Sequence, residues 1–207
     1  MPEPSGFRDD HSRDRAAAAC TDASLREAVV REARTWLGTR YHHMGRVKGA
    51  GVDCATLLAE VYERAGAVPH VAIAHYPPDW HLHRDLERYL AYVLQVAHEV
   101  LPPLAMSGAA VATIAGGDRA VQAVGGPVSA QRAEPGDIVL YKWGRCFAHG
   151  VIITKPWPEE VIHAYAPVGA VTAGRGDEGR LRDRETKFFS VFPAASAIAD
   201  AGDTAST

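Results

Sequence analysis

Three cysteines in 207 residues, Cys20, Cys54 and Cys146, are too sparse and too odd a set for a disulfide framework, so reduced thiols are expected. No apolar run approaches the roughly 18 residues that cross a bilayer, which argues against a helical membrane span. Neither charge sign dominates: Lys+Arg of 22 against Asp+Glu of 25 leaves −3. Without a basic block, general nucleic-acid binding is not expected. The N-terminal MPEPSGFRDDHSRDR lacks the apolar core of a secretory signal, so a chain made in the cytoplasm without a signal peptide is expected. What remains is ordinary: 47% hydrophobic and 23% charged residues, enough apolar material for one globular core.

Residues 1–21 and 194–207 read as flexible tails around a domain over 22–193. Ser24 to Glu27 has capping-box spacing, and Leu25, Ala28, Val29, Ala33, Trp36 and Leu37 follow on one helical face until Gly38. A glycine-rich loop with Arg40, Arg46 and Lys48 leads to a second helix over about 53–65, with Asp53 as N-cap and Gly66 as stop. A third helix is expected over about 83–100. Residues 102–130 read as an insertion or hairpin. Short β-rich runs follow at 138–143, 150–155, 161–166, 170–173 and 187–192. Helices followed by consecutive strands predict an α+β fold with a mostly antiparallel sheet.

Chemistry concentrates on a few residues. A thiolate is the nucleophilic form of cysteine, and a helix N-terminus and an adjacent imidazolium both lower the thiol pKa. Cys54 stands in the first turn of the second helix, behind the exposed backbone of GAGVD. His149 opens HGVIITK and His163 lies inside VIHAYA, so two neighbouring strands would set their imidazoles side by side as base and orienter. The plainer reading is an inert buried cysteine and two core histidines. Cys146 and His149 also have a C-x-x-H spacing that could join His42, His43 or Cys54 in a zinc site. No second pair accompanies it, so neither a metal nor a cofactor is expected. The loop cations are either solvated or placed for a substrate rich in carboxylates.

ARTWLGTRYHHMGRVKGAGVDCATLL, then EPGDIVLYKWGRCFAHGVIIT, then VIHAYAPVGAV, resembles the NlpC-type family of bacterial cell-wall cysteine peptidases, closest to its phage and prophage branch. W-L-G-T-x-Y, D-C at a helix start, and P-G-D before A-H-G occur in the family's order over about residues 25–192. The resemblance implies a papain-like core of N-terminal helices on a small antiparallel sheet. It implies Cys54 as nucleophile, His149 as general base and His163 as the orienting residue. Tyr41 matches a tyrosine that helps bind the oxyanion with the Cys54 N–H. Asp53, Trp80 and His81 are grouped with it as substrate-binding residues, the last two at the cleft rim.

The substrate implied is the peptidoglycan stem peptide, often cut beside γ-D-glutamyl or diaminopimelate units. Phage tail or baseplate proteins are the implied partners, with action at the periplasmic cell wall. The chain departs from the usual D-C-S-G in reading Asp53-Cys54-Ala55-Thr56, where Thr56 could narrow the local space. Two rivals stand beside this reading: a catalytically silent tail component of the same fold, and a papain-like amidase or acyltransferase on another substrate.

Overall fold

The structure, a computed structural model, describes residues 10–78, 87–103 and 129–193, the side chains of 10–20, 129 and 130 excepted. Helix α1 runs Asp10–Arg34. The tail expected to reach residue 21 is therefore helical from Asp10, and Ser24 lies inside the helix rather than at its start. No Gly or Pro interrupts 10–34, and Ala16–Ala19 favours continuation. Val29, Ala33 and Trp36 are fully buried, whereas Leu37, three residues past the last helical turn, is 43% exposed. Helix α2 spans Cys54–Arg64. Gly38 (φ +79) and Gly66 (φ +74) turn the chain out of the two helices in the left-handed conformation.

The expected helix over 83–100 is a single six-residue turn, α3, at Arg88–Val93. Residues 83–86 lie outside the described residues, as does the bulk of the expected insertion, 104–128. His98–Leu101 is a strand, because His98, Glu99 and Val100 pair antiparallel with Ser190, Phe189 and Phe188. Pro102 and Pro103 would end any helix there.

After a two-stranded hairpin (β1 Arg46–Val47, β2 Gly51–Val52), seven strands among the described residues form one sheet. They are β3 His98–Leu101, β4 Ser129–Arg132, β5 Ile138–Trp143, β6 Cys146–Ile153, β7 Val161–Tyr165, β8 Ala170–Gly174 and β9 Thr186–Ser190. Their order is β4-β3-β9-β5-β6-β7-β8, antiparallel throughout except for the parallel β3–β4 pair. The fold is thus α+β with a large mixed sheet, bigger than the small antiparallel one expected.

Both sheet faces are covered, so β5 is apolar at consecutive positions rather than alternating. Ile138 and Leu140 pack with Leu57, Val61 and Trp36 under the helices. Val139 and Tyr141 pack with Val151, Ile153, Val161 and Phe188 on the other face. Arg26 reaches the fully buried Asp137 at 2.8 Å and ties α1 to the start of β5.

Candidate active site

The start of α2 is fixed by its cap. Asp53 is extended, and its Oδ1 accepts from the Ala55 N–H (3.1 Å), the Thr56 N–H (3.0 Å) and the Thr56 hydroxyl (2.9 Å). The Asp53 N–H donates in return to Thr56 Oγ1 at 3.0 Å. Thr56 is therefore turned inward, fully buried, and completes the capping box instead of crowding the thiol. Asp53 Oδ2 accepts from the Met44 N–H (2.8 Å) and the Tyr76 hydroxyl (2.7 Å). Expected among the substrate-binding residues, Asp53 is 1% exposed with both oxygens occupied by the protein. It positions the helix start. Asp53→Ala is expected to cost at least about 3 kcal/mol, from the lost cap and two stranded donors. Asp53→Asn, which keeps one capping oxygen, should cost less. Urea unfolding measures both, and an alanine variant within about 1 kcal/mol of wild type would contradict this role.

Cys54 lies against β6. Its thiol donates to the Ala148 carbonyl at 3.8 Å, and the Tyr89 hydroxyl donates to the Cys54 carbonyl at 2.8 Å. This close approach depends on Gly150, where a Cβ would meet the Tyr89 hydroxyl at 2.2 Å and Leu58 Cδ1 at 2.8 Å. Burial pushes the thiol up to about 12, and the Asp53 carboxylate adds to the rise. The N–H groups of Gly150, Cys54 and Ala55 favour the thiolate without offsetting this.

The lowered thiol pKa expected from a helix start is thus reversed. The positive end of the helix is already taken up by the Asp53 carboxylate, which also repels a thiolate. Iodoacetamide labelling of Cys54 should accordingly be slow at pH 7 and rise about tenfold per pH unit through pH 9, because only the thiolate reacts. A rate already on a plateau below pH 7 would show a preformed thiolate and overturn this.

His149 and His163 meet as the sequence predicts. His149 Nε2 and His163 Nδ1 are 2.7 Å apart, with ring centroids 5.0 Å apart at 72°. In the β5–β6 register Tyr141 opposes His149 and Lys142 opposes Phe147, so Ala148 is the extra residue of a bulge. The carbonyl that takes the Cys54 thiol belongs to that bulged residue. Gly150 faces Leu58 and Tyr89, so the His149 ring, one residue earlier, turns among Tyr141, Trp143 and Tyr165. His163 stacks on Tyr165 at 4.9 Å. Burial, then the charges of His163 and Arg184, holds His149 well below the usual histidine range. Burial lowers His163 to about 4. Both rings are neutral at neutral pH, so one donates and the other accepts in their shared bond.

Tyr41 is anchored by its N–H to the Gly169 carbonyl (2.7 Å) and bridges Val52. Burial, then the charges of Cys54 and Asp53, raises its phenol above the ordinary range, so it stands near both as a neutral donor. The structure therefore groups Cys54, Asp53 and Tyr41 on one side and His149 with His163 on the other, joined through the backbone of 148–150. Among the described residues no hydrogen bond links Cys54 to His149. Trp80 and His81 lie outside the described residues. Tyr76 and Tyr89 hold the surroundings of Cys54 but carry no motif: Tyr89 read as one apolar residue of a longer helix.

Among the described residues no three His, Cys, Asp or Glu side chains gather as a metal site. His42 Nδ1 contacts the His43 carbonyl at 2.9 Å, His43 Nε2 contacts the Tyr76 carbonyl at 2.7 Å, and Cys146 is fully buried in the core. Arg46 pairs with Glu60 and Glu63, and Lys48 with Glu32, so these loop cations brace α1 and α2. A solvent-open cleft extends from Cys54 along α2, walled by Leu58, Val71, Ile73, Tyr89 and Val96. The hydroxyls of Tyr62, Tyr76 and Tyr89 in its wall all donate to protein acceptors, leaving the wall apolar in character. No protein-family model matches the chain, and no curated protein matches it.

Proposed function

We propose that the chain is a cysteine peptidase of NlpC-type, papain-like fold that hydrolyses peptide bonds in peptidoglycan stem peptides. On this reading it is carried by a phage tail, with tail or baseplate proteins as partners, and acts at the periplasmic cell wall. The observation that carries the reading is the 2.7 Å His149–His163 bond, on the residue next to the carbonyl that holds the Cys54 thiol. Such a bond orients a base, as the third member of a triad does.

With the proton on His149 Nε2 and donated to His163 Nδ1, His149 Nδ1 is the nitrogen left to act as base. Attack requires the thiol to leave the Ala148 carbonyl and the His149 ring to swing from among Tyr141, Trp143 and Tyr165 to the Cys54 side of β6, where Nδ1 takes the thiol proton as the S–C bond forms. A neutral thiol and a neutral imidazole make that transfer part of the attack rather than a step before it. The Cys54 N–H and the Tyr41 hydroxyl are the donors for the oxyanion. His149 then protonates the leaving amine, and water, deprotonated by His149, hydrolyses the thioester.

The apolar cavity beside Cys54 favours a second reading, amide or ester acyl transfer with an apolar acyl group. One experiment separates them: purified protein is incubated with peptidoglycan and the fragments are weighed. Paired new amino and carboxyl ends, lost after thiol alkylation and unaffected by a chelator, support the peptidase. Intact stem peptides alongside turnover of an acyl ester would overturn it in favour of acyl transfer.

A further inference from the structure

Arg184 stands near the histidine pair, and among the described residues no carboxylate pairs with it. Its guanidinium lies 3.7 Å above the Trp143 ring, and that ring is 5.5 Å from His149. Nε donates to the Arg180 carbonyl at 2.5 Å and Nη1 to the Lys142 carbonyl at 3.1 Å. Two carbonyls and an aromatic face thus fix a half-buried cation whose charge is felt at His149. The neighbouring charges are matched elsewhere: Lys142 pairs with Glu185, and Lys187 with Glu99. Among the described residues no carboxylate pairs with Arg184, and neither carbonyl uses Nη2. A guanidinium immobilised in this way has lost its side-chain entropy in advance and keeps donors for an anion.

We infer that Arg184 is a specificity residue that binds a substrate carboxylate one or two residues from the scissile bond. The inference rests on the peptidase reading and names what that enzyme recognises: an acidic stem peptide rather than its amidated form. Trp143 links the two, because the guanidinium rests 3.7 Å from its ring and the ring is 5.5 Å from His149. A carboxylate held there by the remaining N–H groups would lie alongside the base, and replacing it by a carboxamide removes the charge while keeping the shape.

The test uses the full chain carrying Cys54→Ala, so that binding is read without turnover. Calorimetric titrations compare a stem tetrapeptide with a D-glutamate α-carboxylate and the same peptide as its α-carboxamide. They are repeated with Arg184→Gln and Arg184→Lys added. The carboxylate peptide should bind about tenfold to a hundredfold more weakly after Arg184→Gln, with partial recovery in Arg184→Lys, while the carboxamide peptide should bind all three alike. Equal losses for both peptides, or no loss for either, would overturn the role of Arg184 and leave the peptidase reading standing. If neither peptide binds the Cys54→Ala chain, the stem-peptide reading fails and the inference with it.

Discussion

On the proposed mechanism, Cys54→Ala is expected to lower kcat on stem peptide by about four to six orders of magnitude, because no other group of the site can replace the attacking sulfur. The fold should be almost untouched. Cys54 donates only one long bond, to the Ala148 carbonyl at 3.8 Å, while the α2 cap rests on Asp53 and Thr56. Alanine therefore removes the reaction and leaves the helix start in place.

His149→Ala should lose a comparable factor, and the double variant should be no slower than either single one, since nucleophile and base act as a unit. Stopped assays on purified peptide give kcat, and thermal melts check that the variants fold. A Cys54→Ala enzyme within tenfold of wild type would remove Cys54 from the mechanism.

Acid should destabilise the protein steeply below pH 6.5. His149 is 8% exposed and His163 4% exposed, and burial holds both below the unfolded value, His163 at about 4. Because both folded pKa values lie below the unfolded one of about 6.5, the neutral rings contribute stability above that pH, and it is lost as pH falls. Between about pH 6.5 and 4 unfolding takes up about one proton at His163, a slope of about 1.4 kcal/mol per pH unit, and His149 adds loss in the same direction. By pH 5 His163 alone accounts for about 2 kcal/mol, a sizeable share of a typical domain's stability.

Glu63 and Glu160, whose carboxyls are held below their usual range chiefly by hydrogen bonds and by Arg46 and Arg34, have the same direction of loss but only at lower pH. Asp137, raised by burial, opposes them. Urea titrations at pH 7.5, 6 and 5 should show the midpoint falling. A double His149→Gln, His163→Gln chain should lose most of that slope, and a wild-type midpoint flat from pH 7.5 to 5 would contradict buried neutral rings.

Local chemistry alone was enough to read α2 and the central strands. Asp53 and Gly66 bracket the helix by rules that need only a few neighbouring residues, and the runs 138–143 and 161–166 are β-rich with turn residues at their ends. Because the two histidines lie on runs that read as adjacent strands, their meeting was legible as well, and the 2.7 Å bond realises it.

What needed the tertiary structure depends on partners distant in the chain. His98–Leu101 has apolar spacing that fits a helix, and only β9, some ninety residues later, makes it a strand. Ser24 satisfies a capping pattern yet sits inside a helix, since nothing after Asp10 breaks the backbone. The state of Cys54 was decided in the same way. Its position at a helix start was visible in the sequence, but the sign of its pKa shift follows from desolvation against β6 and from the Asp53 carboxylate. Arg184 reaches Trp143 and the histidine pair from about forty residues further along the chain than Trp143, so no local motif marks it. Propensity and capping act over one helical turn, while burial and charge depend on what the folded chain brings alongside.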